Sequence, residues 1–285
     1  MATSPGKDGS NTSLEARAWG IRRNALLMGE VQGQGYIGQA LGAADMLAVS
    51  YFHAMSYHPD DPEWEGRDRF YLSIGHYAIA LYAALIEAGI LPDGEIGTYG
   101  MDDSRMPMSG MAAYTPGMEI TGGSLGHGLG IAVGAALGLK RKDNPAFVYN
   151  MLSDGELGEG STWEAVMSAV QWKLDNLIAI VDFNNQQADG PSTQALATGP
   201  GTEAAKWEAF GWHAQEVDGN DLTALVEAFD AARNNPEKKP RVIICHTTMC
   251  KGIPFLEARD ITHFVRVEPE EWQKALALHD ANSPD

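Results

Sequence analysis

Basic residues are scarce in this chain. It has 20 Lys and Arg against 38 Asp and Glu, for a formal net charge of −18. Such a surface argues against nucleic acid and anionic membrane as partners, since both require a basic face. A polyanionic small ligand stays open, provided a metal ion and backbone N–H groups neutralise its phosphates locally. Long apolar runs are also missing, and none approaches the roughly 20 residues of a membrane span. The first residues, MATSPGKDGSNTS, contain no apolar h-region, so no secretory signal is expected and the expected location is cytoplasmic. Only two cysteines occur, Cys245 and Cys250. Their spacing fits no common zinc pattern, which predicts two reduced thiols. No linker, composition break or internal repeat divides the 285 residues. The expectation is a flexible tail over 1–12 and one domain over 13–285 with a helical N-terminal arm.

What is present alternates. Helical periodicity begins near Leu14 and runs towards Glu30. Gly33 to Gly38 reads as a turn too rich in glycine for a helix interior, and a second helix is expected from about Ala43 to Tyr57. Short or apolar runs at Phe70–Ser73, Ala146–Leu152, Leu177–Phe183, Trp212–Val217 and Arg241–Cys245 read as strands, most of them separated by helical stretches. That alternation, with β-branched strands, predicts an α/β fold, a parallel sheet flanked by helices. Residues 91–122 form a long irregular segment, of a length that is often functional. A glycine-rich stretch, Gly122 to Gly130, then opens a helix. It could offer N–H groups to an anion or serve close helix packing.

The chain is organised around Ser153 to Gly190. A strand leads into Asp154-Gly155-Glu156, a helix follows with a capping box predicted at Ser161-Thr162-Trp163-Glu164, and a second strand ends at Asn184-Asn185. Ligands in open parallel sheets sit beyond the carboxyl ends of the strands. Asp154 and Asn184 each lie just past such an end. If the two strands are adjacent, their hard oxygens could share Mg2+ or Ca2+ with substrate phosphates. Gly155 would let a diphosphate approach the backbone. His76, immediately after the first strand, is a candidate for chemistry or for simple capping.

These pieces resemble the thiamine-diphosphate motif and, more closely, the transketolase family. The matching segments include AADMLA (Ala43 to Ala48), YHPDDPEWEGRDRFYLSIGH (Tyr57 to His76), GGSLGHGL (Gly122 to Leu129), SDGELGEG (Ser153 to Gly160), KLDNLIAIVDFN (Lys173 to Asn184) and the pair Asp189-Gly190. Ser153 stands where the motif usually has glycine. The resemblance implies a thiamine-diphosphate-binding fold, with Asp154, Asn184 and the main-chain carbonyl of Gln186 as metal ligands. Gly123, Ser124, Leu125, Gly155, Glu156 and Asn184 would contact the cofactor. His76 and His263 would lie near both cofactor and reacting substrate, as catalytic residues. Glu159 would couple paired sites across a subunit contact.

By this resemblance the family's pyrimidine-binding domain is expected on another chain. The resemblance therefore implies the N-terminal subunit of a split transketolase, active with a C-terminal partner chain in a heterotetramer of two of each. Its activity would be transfer of a two-carbon ketol unit from a ketose to an aldose acceptor. Two family histidines are replaced, one at Tyr36 and one at Ser109, in the segment Met108 to Met111. Tyrosine cannot act as an imidazole near neutral pH. A non-standard sugar is therefore expected, such as apulose 4-phosphate or a sulfo-sugar. Two alternatives are weighed against this: the α subunit of a decarboxylating 2-oxo acid dehydrogenase component, and a non-catalytic scaffold subunit.

Overall fold

Five strands pair in parallel in the order β1-β2-β3-β5-β4. They are β1 (Arg69–Leu72), β2 (Val148–Ser153), β3 (Leu177–Phe183), β4 (His213–Asp218) and β5 (Arg241–His246). In this computed structural model the described residues are 12–188, 190–198 and 201–284. Apart from Thr12, the expected N-terminal tail lies outside them, and so does Asp189 of the Asp-Gly pair.

The helices are α1 (Leu14–Gln32), α2 (Ile37–Val49), α3 (Ala78–Glu87), α4 (Gly128–Arg141), α5 (Gly160–Gln171), α6 (Ser192–Ala195), α7 (Thr202–Ala209), α8 (Leu222–Asn234), α9 (Pro254–Glu257) and α10 (Pro269–Asp280). Alternating strand residues divide between two faces. Tyr149, Met151, Ile178, Ile180 and Ile243 pack with α1, α2, α3, α8 and α10. Val148, Leu152, Val181, Val242 and Ile244 pack with α4, α5 and α7. β2 and β3 are buried along their whole length, which is why they read as continuous apolar runs. β4 is an edge strand and only partly covered. Steps from β1 through β4 carry α4, α5 and α7 on one face, while α3, also between β1 and β2, packs on the other. The reverse step to β5 carries α8 on the other, as a uniform crossover hand requires.

Two expected boundaries are corrected. The second helix starts at Ile37, not Ala43, so Gly38 lies in its first turn. A Cβ on Gly38 would sit 2.5 Å from the Thr262 carbonyl oxygen, so this glycine serves a close helix–loop approach rather than a turn. The capping box at Ser161–Glu164 does not form, and α5 begins at Gly160 with Glu159 at its N-cap. Tertiary acceptors take the hydroxyls instead: Ser161 Oγ donates to Gly126 O (3.0 Å) and Thr162 Oγ1 to Glu156 O (2.8 Å). Both cysteines are buried and unpaired by any disulfide, as expected.

Candidate functional site

β2 and β3 are neighbours, with Ser153 opposite Asp182 in the register. Asp154 is the first residue past β2 and Asn184 the first past β3, so both emerge at the carboxyl end of the sheet on adjacent strands. Ser73 and Thr247 follow β1 and β5 at the same edge. A cleft opens there, lined by His76, Asp154, Gly155, Glu159, Gln186 and His263 among others.

Asp154 is 1% exposed, and it accepts from the Gly155 N–H (2.8 Å) and the Asn185 N–H (2.8 Å). Burial, and then the neighbouring Asp182 carboxylate, push its pKa up to about 7. Asn184 is oriented from behind. Its Nδ2 donates to Tyr77 Oη (2.8 Å) and Asp182 Oδ2 (3.0 Å), which leaves Oδ1 as the outward atom, accepting from Gln186 N (3.0 Å). Asp182 is itself held by Tyr77 Oη (2.7 Å) and by Thr247 Oγ1. A buried carboxylate with a second one behind it, in a cleft that no Lys or Arg lines among the described residues, favours a bound cation. No group of three His, Cys, Asp or Glu occurs that could alone hold a metal, among the described residues. The donors on offer are one carboxylate with amide and main-chain oxygens, a set that fits a hard cation completing its shell with ligand phosphates.

Of the two readings left open for the glycine-rich stretch, close packing is observed, and N–H groups without a protein acceptor leave room for the other. Gly75 packs so tightly under it that a Cβ would lie 2.4 Å from Gly122 C and Gly123 N. Gly126 N donates to Glu156 Oε1 (2.8 Å) and Gly128 N to Ser73 Oγ (3.1 Å). The N–H groups of Gly123, Ser124 and Leu125 have no protein acceptor among the described residues and remain for an anion. A Cβ on Gly155 would meet nothing closer than 3.7 Å, so its place faces open cleft. Glu156 turns inward: both oxygens are taken, by Ser73 Oγ (2.5 Å), Gly126 N and Ser153 N (3.1 Å). It braces the loop from beneath the cleft.

His76 and His263 come together, ring centroids 6.0 Å apart, with the Tyr36 ring 4.5 Å from His76 and 5.9 Å from His263. Burial, and then His263, lower the His76 pKa to about 4, so it is neutral at pH 7. Burial also lowers His263, while its contact with Gln186 O opposes that (Nδ1 to O, 3.2 Å). Ser109 is exposed, and the following Gly110 N donates to Gly75 O (3.3 Å), which ties this segment beside His76. Glu159 is exposed at the cleft mouth.

Sequence reasoning missed Tyr77, Asp182 and Thr247, which orient Asn184, and Gln39, which touches His263. One signal was present. Asp182 is a charged residue inside the apolar strand LIAIVDF, and a buried charge demands partners. Nothing local marked Tyr77 or Thr247.

A parallel sheet with oxygen donors at its strand ends, beneath a glycine-rich loop with spare N–H groups, defines an α/β domain with a polar cleft at the carboxyl edge of its sheet. Residues 18–276 match the family model described as transketolase, thiamine diphosphate binding domain, and the chain belongs to the transketolase family. It is 69% identical over 273 residues to an uncharacterized transketolase family protein of Sinorhizobium fredii, covering 96% of this chain and 97% of that one. It is 38% identical over 268 residues to an apulose-4-phosphate transketolase subunit of Actinobacillus succinogenes, covering 94% and 96%. The transketolase structure from Campylobacter jejuni superposes with a TM-score of 0.79 at 28% identity, over 95% of this chain and 47% of that one. The chain thus spans about half the length of the solved transketolases it matches. The parallel five-stranded sheet is the fold expected from sequence. No helix among the described residues is long and apolar enough to cross a membrane.

Proposed function

We propose that this chain is the cofactor-anchoring subunit of a two-chain transketolase, moving a two-carbon ketol unit from a ketose to an aldose acceptor. The observation that carries the reading is the pairing of Asp154 and Asn184 at the ends of adjacent strands, each backed by its own hydrogen bonds. Asp154, Asn184 Oδ1 and Gln186 O would hold Mg2+, or Ca2+ in its place. Gly155 and the Gly123-Ser124-Leu125 turn would take the diphosphate. Bound there, thiamine diphosphate supplies the carbon nucleophile for cleaving and forming C–C bonds.

The chain's own residues then bind, orient and move protons. Neutral His76 can accept a proton from a sugar hydroxyl, and His263, with Nδ1 on Gln186 O, can present its other nitrogen to the cleft. Glu159 lies where a partner chain would meet the cleft mouth. The partner is a C-terminal transketolase subunit in a heterotetramer of two plus two. The full-length match to a protein that is itself named as one subunit of a transketolase supports a partner subunit. With Tyr36 and Ser109 in place of histidines, the donor is a sugar other than the ordinary pentose phosphates. Apulose 4-phosphate and sulfo-sugars are the first to test.

The test mixes the chain with its C-terminal partner. It follows ketol transfer from apulose 4-phosphate, a sulfo-ketose and xylulose 5-phosphate, alongside CO2 release from 2-oxo acids. Ketol transfer is expected, weakest with xylulose 5-phosphate. CO2 release without transfer would replace the reading with a decarboxylating component. Calorimetry showing no Mg2+-dependent thiamine diphosphate binding, even with the partner, would make the chain a scaffold.

A further inference from the structure

Gln39 lies in the first turn of α2, three residues past Tyr36, and is 1% exposed. Its Nε2 donates to the main-chain carbonyl of His263 and lies 3.4 Å from His263 Nδ1. A carbonyl oxygen only accepts, so chemistry fixes the amide with its NH2 end on His263. The other end, Oε1, is buried and has no partner among the described residues. That orphan oxygen costs stability. A methionine would fill the same space without it, so what glutamine adds at this position is an N–H donor aimed at His263.

The opposite side of the same segment is also tied down. Gln186 Oε1 accepts from Thr262 N (3.1 Å) and Thr262 Oγ1 (2.9 Å), and Gln186 O lies 3.2 Å from His263 Nδ1. Gln186 O, nearer to Nδ1 (3.2 Å) than the Gln39 amide nitrogen (3.4 Å), needs a hydrogen there, so the Gln39 N–H goes to the His263 carbonyl and makes no bond to the ring. That leaves Nε2 bare on the far side of the ring. Gln39 holds the backbone of that residue while Gln186 holds its ring.

We propose that Gln39 is a positioning residue for His263: by clamping the residue's carbonyl it keeps Nδ1 on Gln186 O and Nε2 towards the cleft. Its effect on turnover rests on the reading of the cleft given above, but its effect on the ring does not. The test is 15N NMR of the full chain labelled at histidine, without cofactor or partner. Wild type should show His263 as one neutral tautomer, protonated at Nδ1. Gln39→Met keeps the volume and removes the donor. It should move the two His263 nitrogen shifts towards their averaged positions and leave His76 unchanged. In the assembled enzyme the same variant should lower kcat about tenfold, with KM and thiamine diphosphate affinity within about twofold. Gln39→Ala serves in the same way should the Met variant not fold. His263 shifts identical to wild type in a folded variant would overturn the proposal, since Gln39 would then only fill space. If the assembly shows no ketol transfer at all, the functional reading fails while the nitrogen shifts still decide the role of Gln39.

Discussion

The floor of the cleft and its rim are built differently. On the floor, Asp154, Glu156, Asp182 and Asn184 are each held by at least two hydrogen bonds from within the chain. At the rim, Tyr36 is placed by ring contacts with His76, His263 and Phe264, and Ser109 and Glu159 are exposed. Phe264 is 52% exposed. The floor is preorganised before any ligand arrives, so binding there need not order loose side chains. The rim has few internal restraints, which is the character of a surface completed by substrate or by another chain. Floor variants should therefore act on cofactor binding and rim variants on sugar choice.

The largest effect that would break this contrast is at Asp154. Asp154→Asn is expected to weaken Mg2+-dependent thiamine diphosphate binding by about 100-fold, roughly 2.7 kcal/mol, measured by calorimetry. The same variant has a signature in the metal-free chain. Folded Asp154 keeps its proton up to about pH 7, while an unfolded aspartate loses it near pH 4. Across that window the native state binds more protons, so this group lowers stability as pH rises. The stability of Asp154→Asn relative to wild type should therefore rise by on the order of 2–4 kcal/mol between about pH 4.5 and pH 8, on top of a pH-independent cost, because an amide's one oxygen cannot replace both carboxylate oxygens that accept from Gly155 N and Asn185 N. Urea unfolding at the two pH values checks this, and Mg2+ with cofactor should restore the wild type at pH 8. A pH-independent difference would mean that the floor carboxylate is not strained by burial.

Asp182→Asn comes next. An amide cannot accept from Tyr77, Thr247 and Asn184 together, so Asn184 should lose its fixed orientation. Cofactor affinity is expected to fall about 10-fold, in keeping with the loss of an outer-shell partner. Gly75→Ala should destabilise the chain by about 1–3 kcal/mol in urea unfolding, because its Cβ would press on Gly122 and Gly123 backbone, which cannot yield as a side-chain tip can. The smallest effect belongs to the rim. Tyr36→His should change the kcat/KM ratio between xylulose 5-phosphate and apulose 4-phosphate by about 5-fold, around 1 kcal/mol, with cofactor affinity unchanged. A large loss of cofactor binding in that variant would erase the distinction between floor and rim.

Asp154, Asn184 and Gly155 were legible because the strands that carry them are buried on both faces and so announce their ends in plain sequence. His76 and the glycine-rich turn stayed open between function and packing on local pattern, and only the family resemblance gave them expected roles. The start of α2 was misjudged because Gly38 looks like turn chemistry, whereas its purpose is contact with Thr262, far along the chain. The capping box at Ser161 failed because Gly126 O and Glu156 O, which the chain brings in from elsewhere, won the hydroxyls.

The sequence alone determined the parallel α/β class, the oxygen donors at the strand ends and the family to which they belong. Period, turn chemistry and motif spacing are local, and each is visible in one stretch of residues. Tertiary structure alone decided that β2 and β3 are neighbours, that Tyr77, Asp182 and Thr247 meet behind Asn184, and that Gln39 reaches His263 across 224 positions. Those contacts join residues far apart in sequence, and burial sets their energies through the loss of water around each polar group. Local pattern carries no record of either.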